Sequence, residues 1–264
     1  MSRGRDPRDR DHPDRGHVAH NRTFWDSDAE AYQREHGAAL DAAPLAWGAY
    51  RIPEADLGVL GLDTETARDA TMLELGCGAA QWSVALADLG RRVVALDVSN
   101  AQLGFARAAD PTLPLTLASG EHLPFRAASF DVVFGDHGAL SFCDPDVILA
   151  ECARILRPGG TLAFCCTHPL LYLTWDAQKD AQTRRLQIRY NQLGRMHVGE
   201  GTIDWVLTAS EWIPLLRAHG FAIEDCIELC APRGATTTYN EYAPPKWARK
   251  WPAEWVWKAR REPD

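Results

Sequence analysis

At 264 residues the chain can bury one large core, with room for a cap or a second small lobe. Hydrophobic residues at 46% and charged residues at 24% make an ordinary globular balance. A formal net charge of -8 speaks against a general nucleic-acid binder, which needs clustered Lys and Arg to neutralise phosphates.

Residues 1–20 read as a disordered tail, with five Arg and four Asp among Pro and Gly and almost nothing to bury. From 21 to 43, Phe24, Trp25, Ala29, Tyr32 and Leu40 recur at helical spacing. A short helix follows Pro53, with Ala55, Leu57, Val59 and Leu60 inward. The period then switches. Residues 71–75 form a buried strand, 79–89 a helix and 92–96 a second strand, after which Ser99 N-caps a helix running to 109. Residues 113–117 and 130–134 are the third and fourth strands. A helix at 146–156 stops at Pro158-Gly159-Gly160, and 161–166 is the fifth strand. Strands alternating with helices of about ten residues imply βαβ units, hence a parallel sheet with right-handed crossovers.

After the fifth strand the alternation breaks. Residues 169–207 form an insertion holding Tyr172, Trp175, Tyr190 and Trp205; a helix at 209–219 leads to a sixth strand at 221–229, and a proline-bearing loop precedes a last strand at 254–259. The expected fold is α/β, a three-layer Rossmann-like sandwich on a seven-stranded, mostly parallel sheet whose last strand is antiparallel. One domain covers 21–264: N-terminal helices (21–66), core (67–168), cap insertion (169–207) and C-terminal strands (208–264). Seven cysteines, an odd number without a CxxC pair, read as reduced thiols rather than a disulfide framework or a metal site. With no apolar leader and no 18-residue apolar run, the expectation is a cytoplasmic protein that engages no membrane.

The strand ending at Leu75 feeds Gly76-Cys77-Gly78 and then a helix. This places backbone N–H groups and a positive helix end at the carboxyl edge of the sheet, with glycine there so that no Cβ holds a ligand away from the backbone. Asp97 follows the second strand, where an acid can accept both hydroxyls of a ribose. A dinucleotide site wants a third glycine where Gln81 stands, and Glu74 would repel a pyrophosphate. Both features suit a ligand with a sulfonium, an ammonium and no phosphate: S-adenosyl-L-methionine.

The run Leu73-Glu74-Leu75-Gly76-Cys77-Gly78-Ala79-Ala80 resembles the first motif of class I S-adenosylmethionine-dependent methyltransferases of the small-molecule type, and Leu96-Asp97-Val98-Ser99 resembles the second. Gly120-Glu121-His122-Leu123-Pro124-Phe125, the fourth strand and Arg154 to Gly160 extend the likeness. The resemblance implies that Gly76 and Gly78 approach the methionine part of the cofactor and that Asp97 takes the ribose, with Glu74, Cys77 and Gln81 also among the cofactor-binding residues. Val98 and Gln102 would flank the adenine, with Ser119, Gly120 and Glu121 at its polar edge and Asp136 and His137 beneath the sulfonium. Ala80 replaces a third glycine, and Ser119 stands where relatives often have Asp. Tyr32 either closes the site over the cofactor or packs its helix.

His137 and His168, after the fourth and fifth strands, are the candidate general bases; each could instead serve only as a hydrogen-bonding or capping group. Trp25, Trp175 and Trp205 are candidate acceptor walls, Trp47 a further closing residue, and Trp255 and Trp257 core. The loop Asp136-His137-Gly138-Ala139 lacks the Asn/Asp-Pro-Pro-Tyr pattern of DNA-adenine and protein-glutamine methylases, and no acidic metal pair is evident. The expected acceptor is a small molecule methylated on N, O or C. A protein or tRNA acceptor, a non-catalytic cofactor-binding subunit and a homodimer stay open.

Overall fold

The structure, a computed structural model, describes residues 16–199 and 201–263. Its main sheet contains Thr71–Leu75 (β1), Arg92–Asp97 (β2), Leu115–Leu117 (β3), Phe130–Asp136 (β4), Leu156–Thr167 (β5), Phe221–Leu229 (β6) and Glu254–Arg261 (β7). The strand order is β6-β7-β5-β4-β1-β2-β3, with β7 antiparallel to both its neighbours and the other pairings parallel. The helices that cover this sheet or shape its carboxyl edge are Gly16–Ala42 (α1), Gln81–Asp88 (α2), Asn100–Ala109 (α3), Ala139–Phe142 (α4), Pro145–Ile155 (α5), Pro169–Thr174 (α6) and Ala209–Ala218 (α7).

Side-chain alternation makes the three layers. Leu73, Leu75, Val133, Leu162, Phe164, Trp255 and Trp257 share one core with Ile148, Leu149 and Cys152 of α5 and Trp212 and Leu216 of α7. Their neighbours in sequence, Met72, Val132, Phe134, Ala163, Cys165 and Val256, face the other side, against Trp82 and Leu86 of α2 and Leu103 and Ala106 of α3. Side chains such as Phe164 and Leu216 are fully buried, each worth roughly 1.5–3 kcal/mol over exposure. Capping sets the helix starts. Ser99 Oγ accepts from Gln102 N–H at α3, the Asp144 side chain caps α5, and Thr208 with Glu211 forms a capping box at α7.

The N-terminal helix already includes Gly16, the first described residue, ahead of the expected residue 21, and His17 in its first turn is buried and hydrogen-bonded to Glu121. Residues 1–15 of the expected tail lie outside the described residues. The fifth strand starts at Leu156 rather than 161, running through Pro158-Gly159-Gly160 with a register shift opposite Phe130 and Val132. The C-terminal loop carries a short helix, Pro245–Ala248. All seven cysteines are free, and only Cys226 and Cys230 are exposed. Among the described residues no helix is long and apolar enough to cross a membrane.

Candidate functional site

The carboxyl ends of β1, β2 and β4 open into a cavity of about 450 Å3. The turn after β1 is left-handed at Gly76 (φ 70°), Gly78 (φ 54°) and Ala80 (φ 59°), the last a non-glycine bearing about 1 kcal/mol of strain. Gly76 and Cys77 both donate their N–H to the Leu96 carbonyl, at 2.8 and 3.0 Å, and Gly78 N–H donates to Asp97 Oδ2 at 2.8 Å. These amides therefore join the loops after β1 and β2 instead of standing free. The other Asp97 oxygen accepts from Ser99 N–H at 2.8 Å. Burial raises the Asp97 carboxyl above its usual range, against the pull of these amides.

The reason for glycine differs from the expectation at one of the two positions. A Cβ on Gly76 would overlap the backbone of Gly138 and Ala139, so this glycine serves the contact between the loops after β1 and β4. At Gly78 the nearest atom is Gln102 Oε1 at 3.7 Å, which leaves an open face toward the cavity. Glu74 is buried, with Oε2 accepting from Ser83 N–H (3.0 Å) and Oγ (2.5 Å), and desolvation pushes its carboxyl up to about 8.

Helix α1 roofs this end. Gln33 bridges Gln102 (2.9 Å) and Gln81 (3.4 Å), and Asp26 accepts from Ser99 Oγ (2.7 Å) and Ala101 N–H (3.1 Å). Tyr32 joins its hydroxyl to that of Tyr239 at 2.6 Å, and burial pushes the Tyr32 phenol up to about 12. Trp25 stands edge-on to both Tyr32 and Phe142, and Tyr239 stacks on His36 with ring centroids 4.0 Å apart.

At the other end Asp136 receives Gly48 N–H (3.0 Å) and the Arg51 guanidinium (3.0 Å). His137, itself left-handed at φ 62°, places Nε2 2.6 Å from Glu254 Oε1, while both Glu254 oxygens accept Ala49 N–H. Burial opposes protonation of His137, yet the Glu254 charge and hydrogen bond, with Asp136 and Asp204, raise it overall. Tyr172 donates to Asp204 Oδ2 at 2.5 Å, and Tyr242 pairs with Thr167 at 2.8 Å. Four buried polar atoms of cavity-lining side chains have no hydrogen-bond partner among the described residues: Arg51 Nε, Trp82 Nε1, Ser141 Oγ and Asp204 Oδ1.

Trp25, Tyr32, Glu74, Gly76, Cys77, Gly78, Gln81, Asp97, Val98, Gln102, Ser119, Gly120, Asp136 and His137 all line this one cavity. Five expected residues do not. Glu121 turns away to bind His17 (2.5 Å) and Asp144 N–H (2.8 Å). His168 caps α6, its Nδ1 accepting Leu170 N–H at 3.1 Å while Nε2 meets Glu228 at 3.3 Å, so both ring nitrogens are committed. Trp205 packs against His17 and beneath Arg195, and Trp175 pairs with Gln182 in a two-residue ribbon. Trp47 is fully buried, donating to Glu54 at 2.7 Å, and closes nothing.

The residues that sequence reasoning missed, Arg51, Asp204, Tyr239, Tyr242 and Glu254, come from aperiodic segments or strand ends. The one available signal was Glu254, an acid opening a strand whose next three residues belong to the core. Asp136, His137 and Cys165 lie close enough together to share a metal ion. Their donor set fits one poorly: Asp136 is neutralised by Arg51, His137 is held by Glu254, and burial pushes the Cys165 thiol well up, away from the thiolate a metal binds.

Residues 73–164 match the family model described as a methyltransferase domain. A protein of Mycolicibacterium smegmatis named as a probable S-adenosylmethionine-dependent methyltransferase is 30% identical over 156 residues, 59% of this chain and 53% of that one. A demethylmenaquinone methyltransferase of Streptomyces avermitilis is 34% identical over 116 residues, 44% of this chain and 48% of the relative. The chain thus spans about half the length of these curated relatives. The crystal structure of an S-adenosylmethionine-dependent methyltransferase from Mesorhizobium loti matches with a TM-score of 0.62 at 25% identity, covering 78% of this chain and 98% of that one.

Proposed function

We propose that the chain is a class I S-adenosylmethionine-dependent methyltransferase and that it methylates a small molecule held in the cavity that also takes the donor. The observation that carries this reading is continuity. One cavity runs from Gly78 and Asp97 to a wall built by Trp25, Tyr172, Asp204, Tyr239 and Tyr242, so both substrates can share a space closed by α1. The similarity to a relative named for a quinone acceptor supports a small molecule.

The residues present fit the donor. Asp97 offers carboxylate oxygens to the ribose hydroxyls, Val98 and Gln102 flank an adenine, and Ser119 and Gly120 meet its polar edge. The unpartnered Arg51 Nε and Trp82 Nε1 suit a carboxylate. When bound, S-adenosylmethionine supplies an electrophilic methyl group on a positively charged sulfur. The chain's own part is alignment and exclusion of water by α1 and the aromatic wall. His137, oriented by Glu254, is the group placed to take a proton from an acceptor that must lose one.

Titration calorimetry with S-adenosylhomocysteine tests the cofactor half; absence of binding by folded protein overturns it. Labelling of a desalted lysate tests the acceptor half. Label in small molecules is expected, and label confined to protein or RNA overturns it.

A further inference from the structure

Six carboxylates and one arginine line the cavity. Two of the acids are engaged in place, Asp136 by the Arg51 guanidinium and Glu254 by hydrogen bonds from Ala49 N–H and with the His137 ring. Asp97 is tied to Gly78 and Ser99 amides at the donor end, and Glu74, pushed up to about 8, carries a proton near neutrality. Asp28 and Asp204 remain. Asp204 sits on the Ile203–Val206 strand of the insertion; Tyr172 holds its Oδ2, and no hydrogen bond of good geometry reaches Oδ1, although Thr202 stands beside the carboxylate. Ser141, only 7% exposed, presents a second unpartnered oxygen to the same cavity. A buried polar atom left without a partner costs about 1–3 kcal/mol, so Asp204 Oδ1 marks where a hydrogen-bond donor belongs, and the Ser141 hydroxyl, able to donate or accept, marks a second polar contact.

Resting on the methyltransferase reading, we infer that the acceptor is an amine whose N–H is received by Asp204 Oδ1, the aromatic wall of Trp25, Tyr172, Tyr239 and Tyr242 enclosing its apolar part. The charge balance favours nitrogen over an acidic oxygen acceptor. A free-base amine gives its lone pair to the methyl carbon, sulfur keeps the C–S electron pair, and the positive charge passes from sulfur to nitrogen. A carboxylate beside that nitrogen stabilises the charge as it forms, and the surrounding rings favour the product cation. A carboxylic or phosphate acceptor would meet the same acids as repulsion.

The test is calorimetric, on the full chain saturated with S-adenosylhomocysteine. Tryptamine and 2-phenylethylamine are titrated against tryptophol and 2-phenylethanol. The amines are expected to bind at least about tenfold more tightly than the matched alcohols. Asp204→Asn is expected to remove about tenfold from amine affinity and to leave S-adenosylhomocysteine affinity unchanged, which also shows that the variant is folded. Equal binding of alcohols and amines, no amine binding, or an unaffected Asp204→Asn overturns the inference. Should that variant not fold, the amine-to-alcohol ratio of the unaltered protein decides alone. Failure of S-adenosylhomocysteine to bind overturns the methyltransferase reading and this one with it; binding without amine preference overturns this one only.

Discussion

His137 Nε2 lies 2.6 Å from Glu254 Oε1, so a residue leaving β4 is oriented by the first residue of β7, 117 positions away. Burial alone would lower His137; Glu254 reverses the sign and raises it. A raised histidine contributes stability that is full below its unfolded value near 6.5 and is lost as pH climbs through the folded value. Glu254→Gln keeps the shape and removes the charge. The His137 ring titration, followed by NMR, should then move down to or below 6.5, and stability above that pH should change less than in the unaltered protein. An unmoved titration would show that Glu254 does not set the ring's protonation.

Gly76 and Gly78 should respond differently to the same substitution. Gly78→Ala adds mainly the left-handed backbone penalty of about 1–2 kcal/mol, its Cβ meeting only Gln102. Gly76→Ala adds overlap with the Gly138–Ala139 backbone and should cost at least about 2 kcal/mol more. Urea midpoints with unchanged m-values would measure the difference, and equal losses would contradict the proposed loop contact.

Glu74 carries a prediction of opposite sense to an ordinary surface acid. Its carboxyl rises from 4.5 unfolded to about 8 folded, so its contribution is present below 4.5 and is lost as pH rises toward 8. Glu74→Gln imitates the protonated form. Relative to the unaltered protein it should gain stability across that interval, seen as a growing difference in Tm. A constant difference would mean that Glu74 is ionised throughout.

His168→Ala should act on the fold alone. It removes the cap from Leu170 N–H and the contact with Trp255, costing about 1 kcal/mol. S-adenosylhomocysteine affinity and the pH profile of methyl transfer should remain as they were. A lost limb in that profile would return His168 to the chemistry.

The parallel strands were legible because buried β-runs alternate with helical periods from Thr71 to Thr167, and the turn after β1 announced itself by its glycines. Asp97 was legible from its distance to that turn. The far wall was not. Asp204, Tyr239 and Tyr242 sit in segments without periodicity, and only the packing of α1, the insertion and the loop before β7 brings them together. His137 and His168 followed consecutive strands and looked equivalent. Their fates diverged over partners no local pattern could reveal: Glu254 for one, the first turn of α6 for the other. Trp47 and Trp25 posed the same ambiguity, resolved by which ring found a buried partner.

The contact between Gly76 and the Gly138–Ala139 backbone has a consequence for how such a protein diversifies. Because the turn after β1 and the loop after β4 rest directly on one another, neither can lengthen or gain a side chain without disturbing its neighbour. On the proposed function, a change of acceptor is then expected to come from the insertion after β5 and the loop before β7, which supply Asp204, Tyr239 and Tyr242 and take no part in that contact.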